Sequence, residues 1–358
     1  MQSVMPQGLY WRLSGFYFTY FMVLGAMIPY FPLYLKSLGL DAWQIGVMIS
    51  VMVGTKIVAP NLWGWLADYT GRRMLVIRLG CLMAVVSFCG IFLQQPGQPS
   101  PGLLVLVIFL YSFFWNAVLA QFEAVTLFYL GEKAYLYSRI RLWGSIGFIA
   151  AVALFGCLFD RIPLSFFPIV IAAGLLAIFL SSWVVEDPPV YRHTSQQDNK
   201  DFLSRLRQPH VLVFFLVCFL MVFSHGPYYT FFSLLLERHG YTRTATGLLW
   251  SFGVMAEVII FWFMHRVLSH WGLGNVLMAS LLLAGLRWVL LASAVQYLPA
   301  MLLAQCLHAF SFGAFHAAAI ETVRRWFTVG QSGKAQAFYS AVGYGAGNAL
   351  GSLLAGGF

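Results

Sequence analysis

The chain has 358 residues, 60% of them hydrophobic and only 9% charged. A soluble domain carries roughly 25% charged residues, so a soluble fold is excluded. The formal net charge of +9 sits in short loops between apolar runs, which speaks against nucleic acid as a partner and for topology signals. Aromatic residues make up 17% of the chain, which suits many membrane–water interfaces. Cys81, Cys89, Cys157, Cys218 and Cys306 all lie in apolar runs without a CxxC partner, so neither a disulfide nor a metal site is expected.

A membrane-crossing helix takes about 20 apolar residues. Eleven stretches qualify, at about 9–35, 42–66, 74–94, 102–130, 139–159, 162–185, 210–236, 244–268, 273–295, 299–323 and 335–358. The first is too long for the core of a signal peptide, and no small-residue cleavage site follows it. Pro29, Pro32, Pro60, Pro168 and Pro227 inside these stretches predict local breaks. The even-numbered loops and the central one carry most of the basic residues, among them Arg72, Arg73, Arg192, Arg324 and Arg325. The odd-numbered loops carry only Lys36, Arg161, Arg238 and Arg243. Positive residues stay inside, which places the N-terminus and the central loop in the cytoplasm of a bacterium and the protein in its inner membrane. The central segment 186–209 is the one long polar stretch. It separates six spans (1–185) from five (210–358). The last span reaches Phe358, so a twelfth helix is absent, and truncation is the simplest expectation.

The two parts look alike. Gly39-Leu-Asp-Ala-Trp-Gln-Ile-Gly46 leads to Ser50, and Gly240-Tyr-Thr-Arg-Thr-Ala-Thr-Gly247 leads to Ser251, with the same glycine spacing. Glu123 in the fourth span and Glu321 in the tenth fall at nearly the same offset. Both matches favour duplicated halves related by an axis along the membrane normal.

The loop after the second span reads Gly64-Trp-Leu-Ala-Asp68-Tyr-Thr-Gly71-Arg72-Arg73. It resembles the G-x3-D-x2-G-R-R signature of the major facilitator superfamily, with Tyr69 at a position usually basic. Its plain alternative is a positive-inside turn. The signature concerns gating and says nothing of substrate. The counterpart loop, His265 to Gly272, lacks the Asp.

Charges inside spans are costly and mark function or pairing. The chain places Lys56, Glu123, Arg141, Glu257 and Arg287 there, with His225, His308 and His316. Glu123 shares a helix face with Asn116 by i−7 spacing. The alternatives are structural ion pairs for Glu123 and Glu257, a positive-inside anchor for Arg141, and core histidines.

The first-span run Phe16 to Phe21, Pro29-Tyr-Phe-Pro32, Asn116 to Ala124 and Arg139-Ile-Arg141-Leu-Trp-Gly144 are similar to the lactose permease family. That resemblance implies substrate binding by Glu123 and Arg141, and proton coupling by Glu257, Arg287 and His308. The family's sugar-stacking Trp is Phe148 here, and its helix-ten Lys and Glu are Gln305 and Ser311. The segments Ser224 to Phe231, Gly247 to Phe261, Leu286-Arg287-Trp288 and Leu307 to His316, with a basic Lys56, resemble the phenylpropionate-transporter branch more closely.

The expected fold is therefore an all-α membrane protein of the major facilitator type, with two pseudo-symmetric six-helix halves and the twelfth helix absent from this chain. The expected function is proton-coupled symport of a small organic solute, an aromatic carboxylate first, by alternating access. Lys56, Asn116, Glu123, Arg141 and Phe148 are the candidate substrate residues. Glu257 is the candidate proton carrier, with Arg287, His308 and Glu321 in support. Gly64, Asp68, Gly71, Arg72 and Arg73 form the candidate gate. No catalytic residue, metal or cofactor is expected beyond the proton gradient. The expected partners are a small-molecule substrate, protons and membrane lipid, and the expected state is a monomer. Alternatives are a sugar or nucleoside symporter, a drug/proton antiporter, and a non-transporting sensor or membrane enzyme. Phe148 speaks against the sugar. The absence of proline between Gly144 and Gly156 speaks against the antiporter.

Overall fold

In a computed structural model the described residues are 7–95, 97–188 and 199–357. Arg192, with residues 189–198 of the expected linker, and Phe358 lie outside them. Among the described residues, nine helices are long and apolar enough to cross a membrane. The longest, Arg243–Ser293, breaks at Gly272 (φ 74, ψ 161), a left-handed conformation that glycine alone adopts freely. Residues 329–355 add a further apolar stretch in three helical pieces.

Numbered along the chain, the long helices are α1 (Gln7–Ser37), α2 (Ala42–Thr70), α3 (Arg73–Leu93), α4 (Pro101–Lys133), α5 (Tyr137–Phe159), α6 (Leu164–Ser182) and α7 (Pro209–Arg238). They continue as α8 (243–271), α9 (273–293), α10 (Leu298–Trp326) and α11 (329–355). A short helix, Asn199–Leu206, precedes α7. These segments coincide with the eleven expected spans to within a few residues.

Local breaks accompany two of the five prolines and not the other three. Pro29, Pro32 and Pro227 sit inside α1 and α7 without ending them. Pro60 and Pro168 stand at the first positions of helical pieces that follow short 3-10 turns, where proline's missing N–H costs nothing. The turn in α2, Thr55–Ile57, is held from outside the helix. Asn116 Nδ2 donates to Met52 O (3.1 Å) and Thr55 Oγ1 (2.8 Å). Neighbouring side chains satisfy freed backbone groups in this way when no water is at hand.

Helix α1 packs along α5 and α6, and α3 packs on α4. Helix α8 lies against α5, and α11 lies against α2 and α7. Small residues make the close contacts. A Cβ on Gly147 would overlap the Phe18 carbonyl, and one on Gly25 would lie 2.8 Å from Phe148 O. Aromatic rings fill the space between the helices, with Phe16 stacked on Phe122 (3.7 Å) and Tyr20 on Trp115 (4.3 Å). Apolar side chains such as Leu154, Val213, Ile259 and Leu282 face outward, as a hydrocarbon solvent requires.

The duplicated glycine motif has one structural meaning at both sites. Gly39 (φ 96) and Gly240 (φ 82) turn the chain. Asp41 and Thr242 then cap α2 and α8, Asp41 through a reciprocal bond with Gln44. Gly46 and Gly247 next let each helix approach the other part of the chain. A Cβ on Gly46 would lie 2.8 Å from Ser352 O, and one on Gly247 would overlap the Val152 carbonyl. Both contacts lie at the end of the bundle opposite the linker, called here the far end.

Further ties hold that end closed. Asp160, just past α5, accepts from the backbone N–H groups of Arg243 and Thr244 (2.9 Å each) and from the Thr244 hydroxyl (2.6 Å). Arg243 donates to Phe159 O (2.5 Å), Tyr30 OH donates to Val152 O (2.6 Å), and Lys36 pairs with Glu237 (2.9 Å). At the linker end a cavity of about 410 Å³ opens beside Asn61, Phe202, Lys334 and Phe338.

Candidate functional site

The first charged cluster lies between α1, α4 and α5. Arg141 Nε stands 3.8 Å from Glu123 Oε1, and Tyr137 donates to the same oxygen at 3.0 Å. The Arg141 guanidinium lies 3.8 Å over the Phe21 ring and 5.8 Å from Tyr17. Tyr17 in turn donates to Thr126 Oγ1 (3.2 Å). About a third of each charged side chain is open. The result is a neutral ion pair walled by aromatics, suited to the edge of a polar or aromatic solute.

The second cluster lies between α7, α8, α9 and α10. His308 Nε2 is 2.7 Å from Glu257 Oε1, and both side chains are largely buried. That distance requires a proton between the two atoms. Arg287 is wholly buried. Its Nε donates to Ala304 O (3.1 Å), and its guanidinium contacts the rings of Tyr228 (4.0 Å) and Trp288 (4.7 Å). Tyr228 donates to Gln305 Oε1 at 3.0 Å. His225 packs edge-on to Trp288 and 5.9 Å from His308, centre to centre, and Phe312 stacks on His308 (5.2 Å). A π-helical turn, Ala309–Ala314, begins directly after His308. Such turns widen a helix and occur often at functional sites.

The structure thus joins Glu123 with Arg141, and Glu257 with His308 beside Arg287. It separates the other candidates from them. Asn116 spends its amide on the α2 turn. Phe148 is packed in the core at the α1–α5 contact. Lys56, on that turn, is half-buried and makes no ion pair among the described residues. Glu321 is bound near the end of α10 by Arg324 (2.7 Å) and Arg325 (2.8 Å), away from Glu257. His316 joins neither acid and meets the hydroxyls of Tyr339 and Tyr344 at 3.1 and 3.0 Å.

The Gly64–Arg73 motif forms a compact turn. Gly71 takes the left-handed cap of α2 (φ 66), and Arg73 pairs with Asp68. Arg73 also donates to Gln121 Oε1 (2.9 Å), and a Cβ on Gly64 would sit 3.2 Å from Gln121 Nε2. Gln121 and Tyr137 were not singled out in the sequence. Neutral side chains within apolar spans give no signal by composition.

The structure is a polytopic helical bundle with charged pairs held inside it. The chain belongs to the MFS_1 like family, which it matches over residues 10–358. It is 29% identical to the Escherichia coli (strain K12) protein described as "Probable 3-phenylpropionic acid transporter", over 98% of this chain and 91% of that one. It is 28% identical to the maltose permease of Geobacillus stearothermophilus, over 93% of this chain and 83% of that one. Among solved structures, the nucleoside transporter NupG superposes with a TM-score of 0.84 at 19% identity, covering 98% of this chain and 90% of that chain. These relatives and neighbours are transporters, not enzymes. The protein is a multi-pass transporter of the major facilitator type.

Proposed function

We propose that the protein is a proton-coupled symporter that takes up a small organic anion, first an aromatic carboxylate, across the bacterial inner membrane. The observation that carries this reading is the Glu257–His308 pair at 2.7 Å in the helix interior. A carboxylate and an imidazole sharing a proton inside a bundle form a device that can load and release it. The name of the 29% identical relative supports the substrate class. The protein acts as a monomer of two pseudo-symmetric parts, six helices before the linker and five in 210–358, with its N-terminus and linker in the cytoplasm. The closed far end then faces outward and the linker-end cavity faces inward, one arm of an alternating-access cycle. Asp68 and Arg73 act in the gate at the inner end.

The test is uptake into proteoliposomes over a panel of aromatic carboxylates, oligosaccharides and nucleosides, with and without an inward proton gradient. Gradient-driven accumulation of an aromatic carboxylate is expected. Accumulation of maltose or a nucleoside instead would move the substrate to that class. Uptake indifferent to the gradient would remove the proton coupling.

A further inference from the structure

Arg287 is a buried cation whose hydrogen bonds are unfinished. It is 0% exposed, and only its Nε has a partner. Nη1 and Nη2 have none, and no carboxylate lies within ion-pair distance among the described residues. Glu257, the nearby acid, is engaged by His308. The rings of Tyr228 and Trp288 offset part of the charge from the guanidinium face. They leave the in-plane N–H fork unmet, and that fork matches the two oxygens of a carboxylate.

A second unsatisfied donor stands beside it. Gln305 is also 0% exposed, and its Nε2 has no partner. Its Oε1 is taken by Tyr228, the residue whose ring contacts Arg287. Arg287 Nε binds the carbonyl of Ala304, the residue next to Gln305, so the guanidinium and the amide both border Tyr228. His225 is different: its Nδ1 lies 2.8 Å from Met221 O and donates there, which makes its Nε2 an acceptor and no rival for an anion. Leaving several buried donors unpaired is costly, and a ligand that completes them repays the desolvation.

The geometry points to a carboxylate subsite formed by Arg287 and Gln305, in the part of the chain after the linker. The substrate's charged end docks there rather than at Arg141, whose charge Glu123 already meets. Half-buried Tyr229, Trp288 and Phe312 belong to the same aromatic cluster and suit an aromatic body. This subsite rests on the reading that the substrate is a carboxylate.

The test compares binding of 3-phenylpropionate and of its neutral analogue 3-phenylpropionamide to the purified full chain. Wild type should prefer the acid by about 10- to 100-fold. Arg287→Gln should bind acid and amide equally, and Arg287→Lys and Gln305→Met should each lose part of the preference. A folded Arg287→Gln, with an unliganded melting temperature near wild type, that keeps the preference would overturn the subsite and leave the proposed function standing. So would loss of the preference in Lys56→Gln or Arg141→Gln instead. Should Arg287→Gln fail to fold, an unchanged preference in both Arg287→Lys and Gln305→Met would overturn it equally. Sodium chloride is the further arm. A site that takes chloride and ignores 3-phenylpropionate would make the occupant an inorganic ion and overturn the assignment. Wild type that binds no carboxylate while transporting another solute would overturn both readings.

Discussion

Glu123 and Arg141 show how geometry sets a magnitude. Breaking a fully buried pair costs about 3–5 kcal/mol. Here the atoms are 3.8 Å apart and a third of each side chain is open, so solvent screens the pair. An exposed pair is worth about 1 kcal/mol or less. Glu123→Gln should therefore weaken substrate binding about fivefold rather than abolish it. Equilibrium binding to the purified variant checks this, and an unchanged affinity would remove Glu123 from the site. The sequence made Glu123, Arg141, Glu257, Arg287 and His308 visible, because ionisable groups in apolar spans stand out. It did not show that Glu257 meets His308, which needs α8 and α10 to pack. Nor did it show that Glu321 is occupied by Arg324 and Arg325 on its own helix. Three- and four-residue spacing makes that pairing readable in the sequence.

Among the elements, α5 and α8 make the closed contact at the far end. Asp160 caps α8 there. Burial pushes its carboxyl up, but the hydrogen bonds from Thr244 and from the Arg243 and Thr244 amides, with the Arg243 charge, outweigh burial and hold it below its ordinary value of 3.8. Such a group supports the contact fully above its ordinary value and loses it as pH falls through the lowered one. From about pH 5 to 8 the cap is therefore insensitive to pH, and the proposed coupling in that range is assigned elsewhere. Asp160→Ala should open this end about 2- to 30-fold, the range of a lost cap. The readout is maleimide labelling of Ser251→Cys, at a position buried in the α5–α8 contact. Gly247→Ala should do the same, because overpacking against the Val152 carbonyl costs about 1–3 kcal/mol. Gly285→Ala, with nothing within 4 Å, should label like wild type. Equal labelling in all three would refute the latch. The glycine repeat was legible as a pattern, and its cap-then-contact meaning came only with the partner helix. Asp160 is not legible in the sequence, because a lone acid in a loop carries no periodic signal.

For the whole molecule, the eleven long helical segments among the described residues follow from apolar length. The orientation rests on loop charge. A reporter fused within 186–209 should be cytoplasmic and one at 97–101 periplasmic, and the reverse pattern would invert the assignment of inner and outer gates. Within that frame, coupling turns on one carboxylate. Glu257 faces His308 in a helix interior, beside a buried arginine, and in the proposed symport it changes its proton as access alternates. The direct measurement is to compare uphill accumulation and counterflow exchange in proteoliposomes bearing wild type or Glu257→Gln. If Glu257 carries the proton, Glu257→Gln loses accumulation against the gradient and keeps exchange. Accumulation at the wild-type level by Glu257→Gln would contradict that role.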